Sequence, residues 1–212
     1  MTYDCQIHTI DDSSVTLAID HCAQMFAAAD SEPVTGAIGL TCEQIRAMLA
    51  YDQLRFVSNR MSQIAIDANN KVAGVLLADD YAEHCTRDLY RPANKVVFSL
   101  LKDLNHIYQM RFRPSLKEGV TAHIAYLAVA PEHHRSGIGE ALVRAALQCA
   151  RNQAYQEALV ESSSRGSQAL FIGKLGFTEC AQIAYRNYRF GGQKPFVNVS
   201  CTNEIVLSTL KL

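Results

Sequence analysis

A single α/β domain is the fold class that this chain predicts, and three observations carry it. Apolar runs of strand length alternate with amphipathic helical stretches, the first adjacent pair of strand-like runs is joined by a short turn-rich link, and no linker or repeat divides the chain. With 212 residues, 49% hydrophobic and 19% charged, the sequence can bury one substantial core, so the expected unit is one domain over 1–212.

The elements follow in order. A first strand is expected over 6–10, after which Asp12, Ser13 and Ser14 cap a helix reaching about residue 29, with Val15, Leu17, Ile19, Cys22 and Phe26 as its apolar positions. Beyond the loop holding Ser31, Glu32 and Pro33, Thr41 and Gln44 form a capping box. Ile45, Met48, Leu49 and Leu54 then continue a second helix. Strands over 63–66 and 72–77 flank a turn-rich link and read as an antiparallel hairpin; Asp79 and Asp80, which follow, read as a solvated turn. A helix over 94–112 is bracketed by Pro92 and Pro114. Further on come a strand ending at Val129, a helix opening near Ile138 and a strand near 158–160. A short helix over 168–174 and strands near 183–190 and 205–210 complete the order.

The chemistry concentrates between Ile124 and Leu142. An apolar strand runs through Pro131 into Gly137 and Gly139, which open a helix with Ile138, Leu142, Ala145 and Cys149 on one face and Glu140, Arg144, Gln148 and Arg151 on the other. Glycines there let the backbone approach a bulky anion, while the free N–H groups of the first turn and the positive dipole end supply its counter-charge. The pattern is a seat for phosphate.

This segment resembles the acetyl-CoA motif of the GCN5-related N-acetyltransferase (GNAT) superfamily, in which a strand ending L-x-V-x-P precedes R/Q-x-x-G-x-G/A and a helix. Leu127, Val129, Pro131, Gly137 and Gly139 fit, with His134 where Arg or Gln is usual. Downstream, Ala169 to Phe177 is similar to the family's second element, with Ile172 where a tyrosine usually stands to protonate the leaving thiolate. The resemblance implies a central, mixed, mostly antiparallel twisted sheet flanked by helices, with a β-bulge and a splay at the strand before the CoA-binding helix. It implies acetyl-CoA along Leu127, Ala128 and Val129, with His134, Arg135, Ser136, Gly137, Ile138, Gly139 and Glu140 at the pyrophosphate and Ser167, Phe171 and Lys174 completing the site. The co-substrate is then a small-molecule primary amine, acetylated directly in a ternary complex.

Two shorter likenesses point to arylalkylamine N-acetyltransferases. The strand from Ala122 to Val129 is similar to that of vertebrate serotonin-acetylating enzymes and places His123 on a catalytic histidine, while Ser31, Glu32 and Pro33 resemble the segment of insect dopamine-type enzymes whose glutamate is the proposed base. Ser163 and Ser167 have the one-turn spacing of the insect enzymes' paired serines. The candidate catalytic residues are therefore Glu32, His123, Ser163 and Ser167. Such residue types suit the reaction: an amine attacks a thioester only as the free base, so its proton must pass to a group such as a histidine or a buried carboxylate, or to a water chain. A CoA-binding module without catalysis and a protein or peptide N-acetyltransferase stay open as alternatives.

Other classes are disfavoured. A net charge of −1 gives no field to attract nucleic acid or an acidic membrane. Seven dispersed cysteines without C-x-x-C read as reduced thiols of a cytoplasmic protein, and histidines without H-x-x-x-H predict no metal. The first residues lack a basic region leading into an apolar core, and no apolar run reaches membrane-spanning length. A monomer or a homodimer is expected.

Overall fold

The computed structural model describes residues 5–28, 32–86, 94–200 and 202–212. Its centre is a seven-stranded sheet in the order β1-β2-β3-β4-β5-β7-β6. The strands are β1 (Cys5–Thr9), β2 (Gln63–Asp67), β3 (Val72–Asp80), β4 (Thr121–Val129), β5 (Glu157–Ser162), β6 (Thr178–Ala184) and β7 (Glu204–Lys211). All neighbours are antiparallel except β4 and β5, whose parallel pairing is made by a helical crossover through α7 (Ile138–Asn152).

Two irregularities at β4 shape everything that follows. Leu77 pairs with Tyr126 but Ala78 pairs with Ile124, so Ala125 is an extra residue in the ladder, a β-bulge. The pairing of β4 with β5 stops at Ile124 and Val160, while β4 runs on to Val129 beside β3. The two strands therefore part, as the family resemblance implies, and leave an open fork.

One face of the sheet is covered by α7, through Ile138, Leu142, Val143, Ala146, Leu147 and Ala150. The buried stripe is thus centred about one position round from the expected one, and Ala145 and Cys149 lie at its margin. The opposite face is covered by α1 (Val15–Ala27), α3 (Cys42–Tyr51), α4 (Gln53–Ser58) and α6 (Lys95–Phe112).

Several expected boundaries move, each for a local reason. The acceptor ahead of α1 is Asp11, whose Oδ1 takes the backbone N–H of Ser13 and Ser14, whereas the Ser14 hydroxyl makes no cap bond. The helix expected to run unbroken past Leu54 turns at Asp52 between α3 and α4. The strand expected near 183–190 lies earlier, as β6. At Tyr185 the chain leaves the ladder to pack with Tyr188 and Phe196, at centroid distances of 5.8 Å for Tyr185 and 5.7 Å for Tyr188 from Phe196. Pro92 and Ser31 fall outside the described residues.

The largest correction is at the end of β3. Asp79 and Asp80 do not form a solvated turn: they are 1% and 2% exposed. Asp80 accepts from the backbone N–H of Ala82 (2.8 Å) and of Gly119 (2.7 Å), anchoring α5 (Tyr81–Thr86) and the approach to β4. Asp79 turns into the site.

Candidate active site

The fork opens into a cavity of about 850 Å³ that runs from the start of α7, along β4, to α2 (Pro33–Ala37) and α6. At one end Gly137 adopts φ +93°, a left-handed conformation that a side chain strains, and turns the chain into α7. Gly139, one step inside the helix, has no such φ. A Cβ on it would lie 3.6 Å from Val129, 3.7 Å from Leu170 and 3.9 Å from Leu127, all cavity-lining residues, so the missing side chain keeps space open at the helix start.

Around this seat the expected cofactor residues separate. His134, Arg135, Gly137, Ile138, Gly139, Glu140, Phe171 and Lys174 line the cavity, joined by Leu170, which was not expected there. Ser136 does not; its hydroxyl donates to the His133 carbonyl at 2.6 Å and holds the turn. His134 Nε2 lies 3.1 Å from the Val129 carbonyl oxygen and donates to it. Glu140 lies 2.5 Å from Lys174 and 2.8 Å from Arg144; these cations hold its carboxyl below the usual range, and its charge partly offsets theirs. Phe171 is fully buried edge-on to Phe177 as well as touching the cavity.

The β4 backbone supplies donors of its own. Ala130 N–H bonds to Ala73 O at 3.0 Å, so strand alternation turns the N–H groups of Leu127 and Val129 away from β3 and into the fork. Donors in that position suit a carbonyl oxygen that gains negative charge.

At the far end stands Glu32, N-cap of α2 and 6% exposed. Its Oε2 accepts the Thr35 N–H at 2.6 Å, and its Oε1, also buried, has no hydrogen-bond partner among the described residues. A buried carboxylate oxygen left without a donor is costly, and an ammonium N–H is the donor this site can receive. Met25, Phe26, Met48, Phe56, Phe98 and Tyr126 line the same cavity. Phe26 and Phe56 meet Tyr126 edge-on, at 5.5 and 6.3 Å between ring centroids.

His123 occupies the fork's apex, 2% exposed, and sequence reasoning missed its partners. Its Nδ1 is 2.7 Å from Asp79 Oδ1 and its Nε2 2.8 Å from Glu161 Oε2. With both carboxylates ionised, each can only accept, and both ring nitrogens then carry hydrogen, as in an imidazolium. Burial by itself lowers the basicity of this ring, but the charges and hydrogen bonds of Glu161 and Asp79 outweigh it and raise the pKa. His123 therefore has no free lone pair and does not fit the role of base. His84 of α5 packs on it at 4.2 Å between centroids and also lines the cavity. Asp79, His84 and His123 bring ligand-type atoms within 4.8 Å of one another, and both His123 nitrogens are already engaged, by Asp79 and by Glu161.

The two serines diverge. Ser163 lines the cavity just past β5, and its carbonyl accepts the Tyr185 hydroxyl at 2.8 Å. Ser167 also lines it, but its hydroxyl donates to the Ser164 carbonyl at 2.8 Å within the capping box that starts α8 (Arg165–Gln168). The next turn, Ala169–Lys174, is π-helical and admits an extra residue. Leu170, Phe171 and Lys174 reach the cavity from it, and Ile172 is not among the lining residues.

The profile of the Acetyltransferase (GNAT) family matches residues 40–177, well over half of the chain. The chain belongs to that family. The glycine-opened helix, the bulged β4 and the fork are thus parts of a GNAT fold, and the family uses acetyl-CoA as co-substrate. Over 59 residues the chain is 41% identical to rat N-acetyltransferase 8B, a match spanning 27% of this chain and 26% of that protein. Among solved structures, the C-terminal condensation domain of Ebony in complex with beta-alanyl-dopamine superposes with a TM-score of 0.84 at 12% identity, covering all of both chains. Arylalkylamine N-acetyltransferase 2 from Aedes aegypti superposes with a TM-score of 0.78 at 19% identity, covering 98% of this chain and 99% of that one. Among the described residues, no helix is long and apolar enough to cross a membrane.

Proposed function

We propose that this protein is an acetyl-CoA-dependent N-acetyltransferase whose acceptor is a small primary amine with an aromatic or otherwise apolar body. The observation that carries the reading is one continuous cavity joining the phosphate seat of α7 to the unpartnered Glu32 oxygen within an aromatic lining. The comparison proteins support the acceptor class, since one is an arylalkylamine N-acetyltransferase and another is bound to an aromatic amine conjugate.

In this reading the pyrophosphate meets the N–H groups opening α7, and the acyl arm lies along β4 in the fork. Glu32 Oε1 receives the proton of the ammonium, and the freed nitrogen attacks the thioester carbonyl, whose oxygen is met by the N–H groups of Leu127 and Val129. The C–N bond forms, the C–S bond breaks, and the second amine proton leaves to solvent while the thiolate takes one up. A thiol of pKa ~8.5 is a fair leaving group, so the reaction tolerates Ile172 in the usual tyrosine position.

The test is thiol release from acetyl-CoA, and from β-alanyl and longer acyl thioesters, over a panel of arylalkylamines, polyamines, amino acids and peptides. Turnover confined to amines with an apolar body is expected. Turnover confined to peptides would replace this reading with the protein-directed alternative, and tight acetyl-CoA binding without turnover would favour the non-catalytic module.

A further inference from the structure

The apex of the fork is held by ions. β4 and β5 stay paired as far as Ile124 and Val160, and Glu161 is the first β5 residue beyond the last pair. His123, one residue before the last β4 pair, contacts Asp79 on β3 and Glu161 on β5, so one ring ties three adjacent strands where the sheet splits. Glu161 is tied a second time: its Oε1 accepts Asn105 Nδ2 of α6 at 2.7 Å, and Asn105 Oδ1 accepts the Tyr81 hydroxyl at 2.8 Å. Asp79, His123 and Glu161 all line the cavity.

We propose that His123, bonded as an imidazolium to Asp79 and Glu161, is a positioning residue that sets the opening of the β4–β5 fork and so the depth at which a thioester lies against β4. The proposal rests on the acyl-transfer reading above. Two buried carboxylates flanking one gap repel each other, and a cation between them fixes their separation; without it they either part or one takes up a proton. A core ion pair of purely structural value could sit anywhere in the sheet. This one sits at the only parallel junction among the described strands, with its three members facing the ligand space. The titratable groups around the ring are Asp79 from β3, Glu161 from β5, and Tyr81, His84 and Cys85 from α5, while α6 contributes the neutral Asn105.

Nitrogen-15 NMR of the full chain reads the first half of the proposal. Both ring nitrogens of His123 should remain protonated at about pH 8, where an ordinary histidine is neutral. The second half is read with acetyl-CoA labelled in the thioester carbonyl, comparing wild type with His123→Gln, Asp79→Asn and Glu161→Gln. In the variants the bound carbonyl signal should move towards its position in free solution, and kcat should fall tenfold or more, with calorimetric affinity for acetyl-CoA within about threefold, as a misplaced reacting atom predicts. Neutral His123 at pH 8, or an unchanged carbonyl signal in a folded Glu161→Gln protein, overturns the proposal. Failure of wild type to bind acetyl-CoA overturns the acyl-transfer reading and takes the proposal with it, whereas binding with an unchanged signal overturns the proposal alone.

Discussion

Gly139 offers the most direct test of the phosphate seat, because its surroundings separate ligand binding from folding. A Cβ there meets Val129, Leu170 and Leu127 at 3.6–3.9 Å, ordinary contact distances, and the backbone is not left-handed. Gly139→Ala should leave stability unchanged or raise it by up to about 1 kcal/mol, the helix penalty of glycine. Gly139→Val projects branched methyls into the space through which a pyrophosphate must reach the N–H groups of α7. Losing two charge-assisted hydrogen bonds at about 1.5–3 kcal/mol each amounts to about 3–6 kcal/mol, or roughly 10²–10⁴-fold in Kd. Gly137→Val would be a poor substitute, since φ +93° makes it strain the turn itself. The assay is titration calorimetry with CoA and acetyl-CoA, paired with a melting curve. A folded Gly139→Val protein with wild-type affinity would refute the placement of the phosphates at this helix.

Four further outcomes are expected. Glu32→Gln keeps a carbonyl oxygen for the Thr35 N–H but removes the base, so kcat should fall at least about 10²-fold with little change in melting temperature; a fully active variant would move proton removal elsewhere. Ile172→Tyr should leave turnover unchanged, because position 172 is not among the cavity-lining residues; a marked gain in rate would show that the π-helical turn is misread. Asp80→Ala strands two backbone N–H groups and should cost about 2–4 kcal/mol in denaturant melts. Finally, His123 has its pKa raised in the folded state, so its stabilisation is fully present below the ordinary histidine value and is lost as pH climbs through the raised one. Wild type should therefore lose melting temperature on the alkaline side, and in Glu161→Gln that loss should begin at lower pH.

Much of this was legible in the residues. Hydrophobic period and capping signals located α3, α6, α7 and the β2–β3 hairpin, and the glycine pair marked where the chain turns into α7 beside the cavity. What escaped were facts of pairing. Asp79 follows an apolar run and reads as a strand end meeting water until β3, β4 and β5 lie side by side and His123 falls between it and Glu161. A usable signal did exist: three ionisable residues inside apolar strands must be paired if they are buried. Ile172 and Ser167 escaped differently. Motif spacing assumes a regular helix, and the π-helical turn at Ala169–Lys174 leaves Ile172 off the cavity lining, while the Ser164–Ser167 capping box engages the hydroxyl of Ser167, which does line it.

The fork has a consequence for the protein without its ligand. A strand in mid-sheet normally has a neighbour on both sides, but β4 beyond Ile124 has none on the β5 side, where the Val129 carbonyl is met by His134 Nε2 instead. An extended ligand arm laid there acts as the missing strand, by the same logic with which peptides add to exposed sheets. If acetyl-CoA lies along β4 as proposed, its loading is partly a completion of secondary structure. Deuterium exchange should report it locally, with the amides of Leu127 and Val129 exchanging quickly in the free protein and slowing together once the gap is filled, while the amides of Ala128 and Ala130, turned towards β3, stay protected in both states.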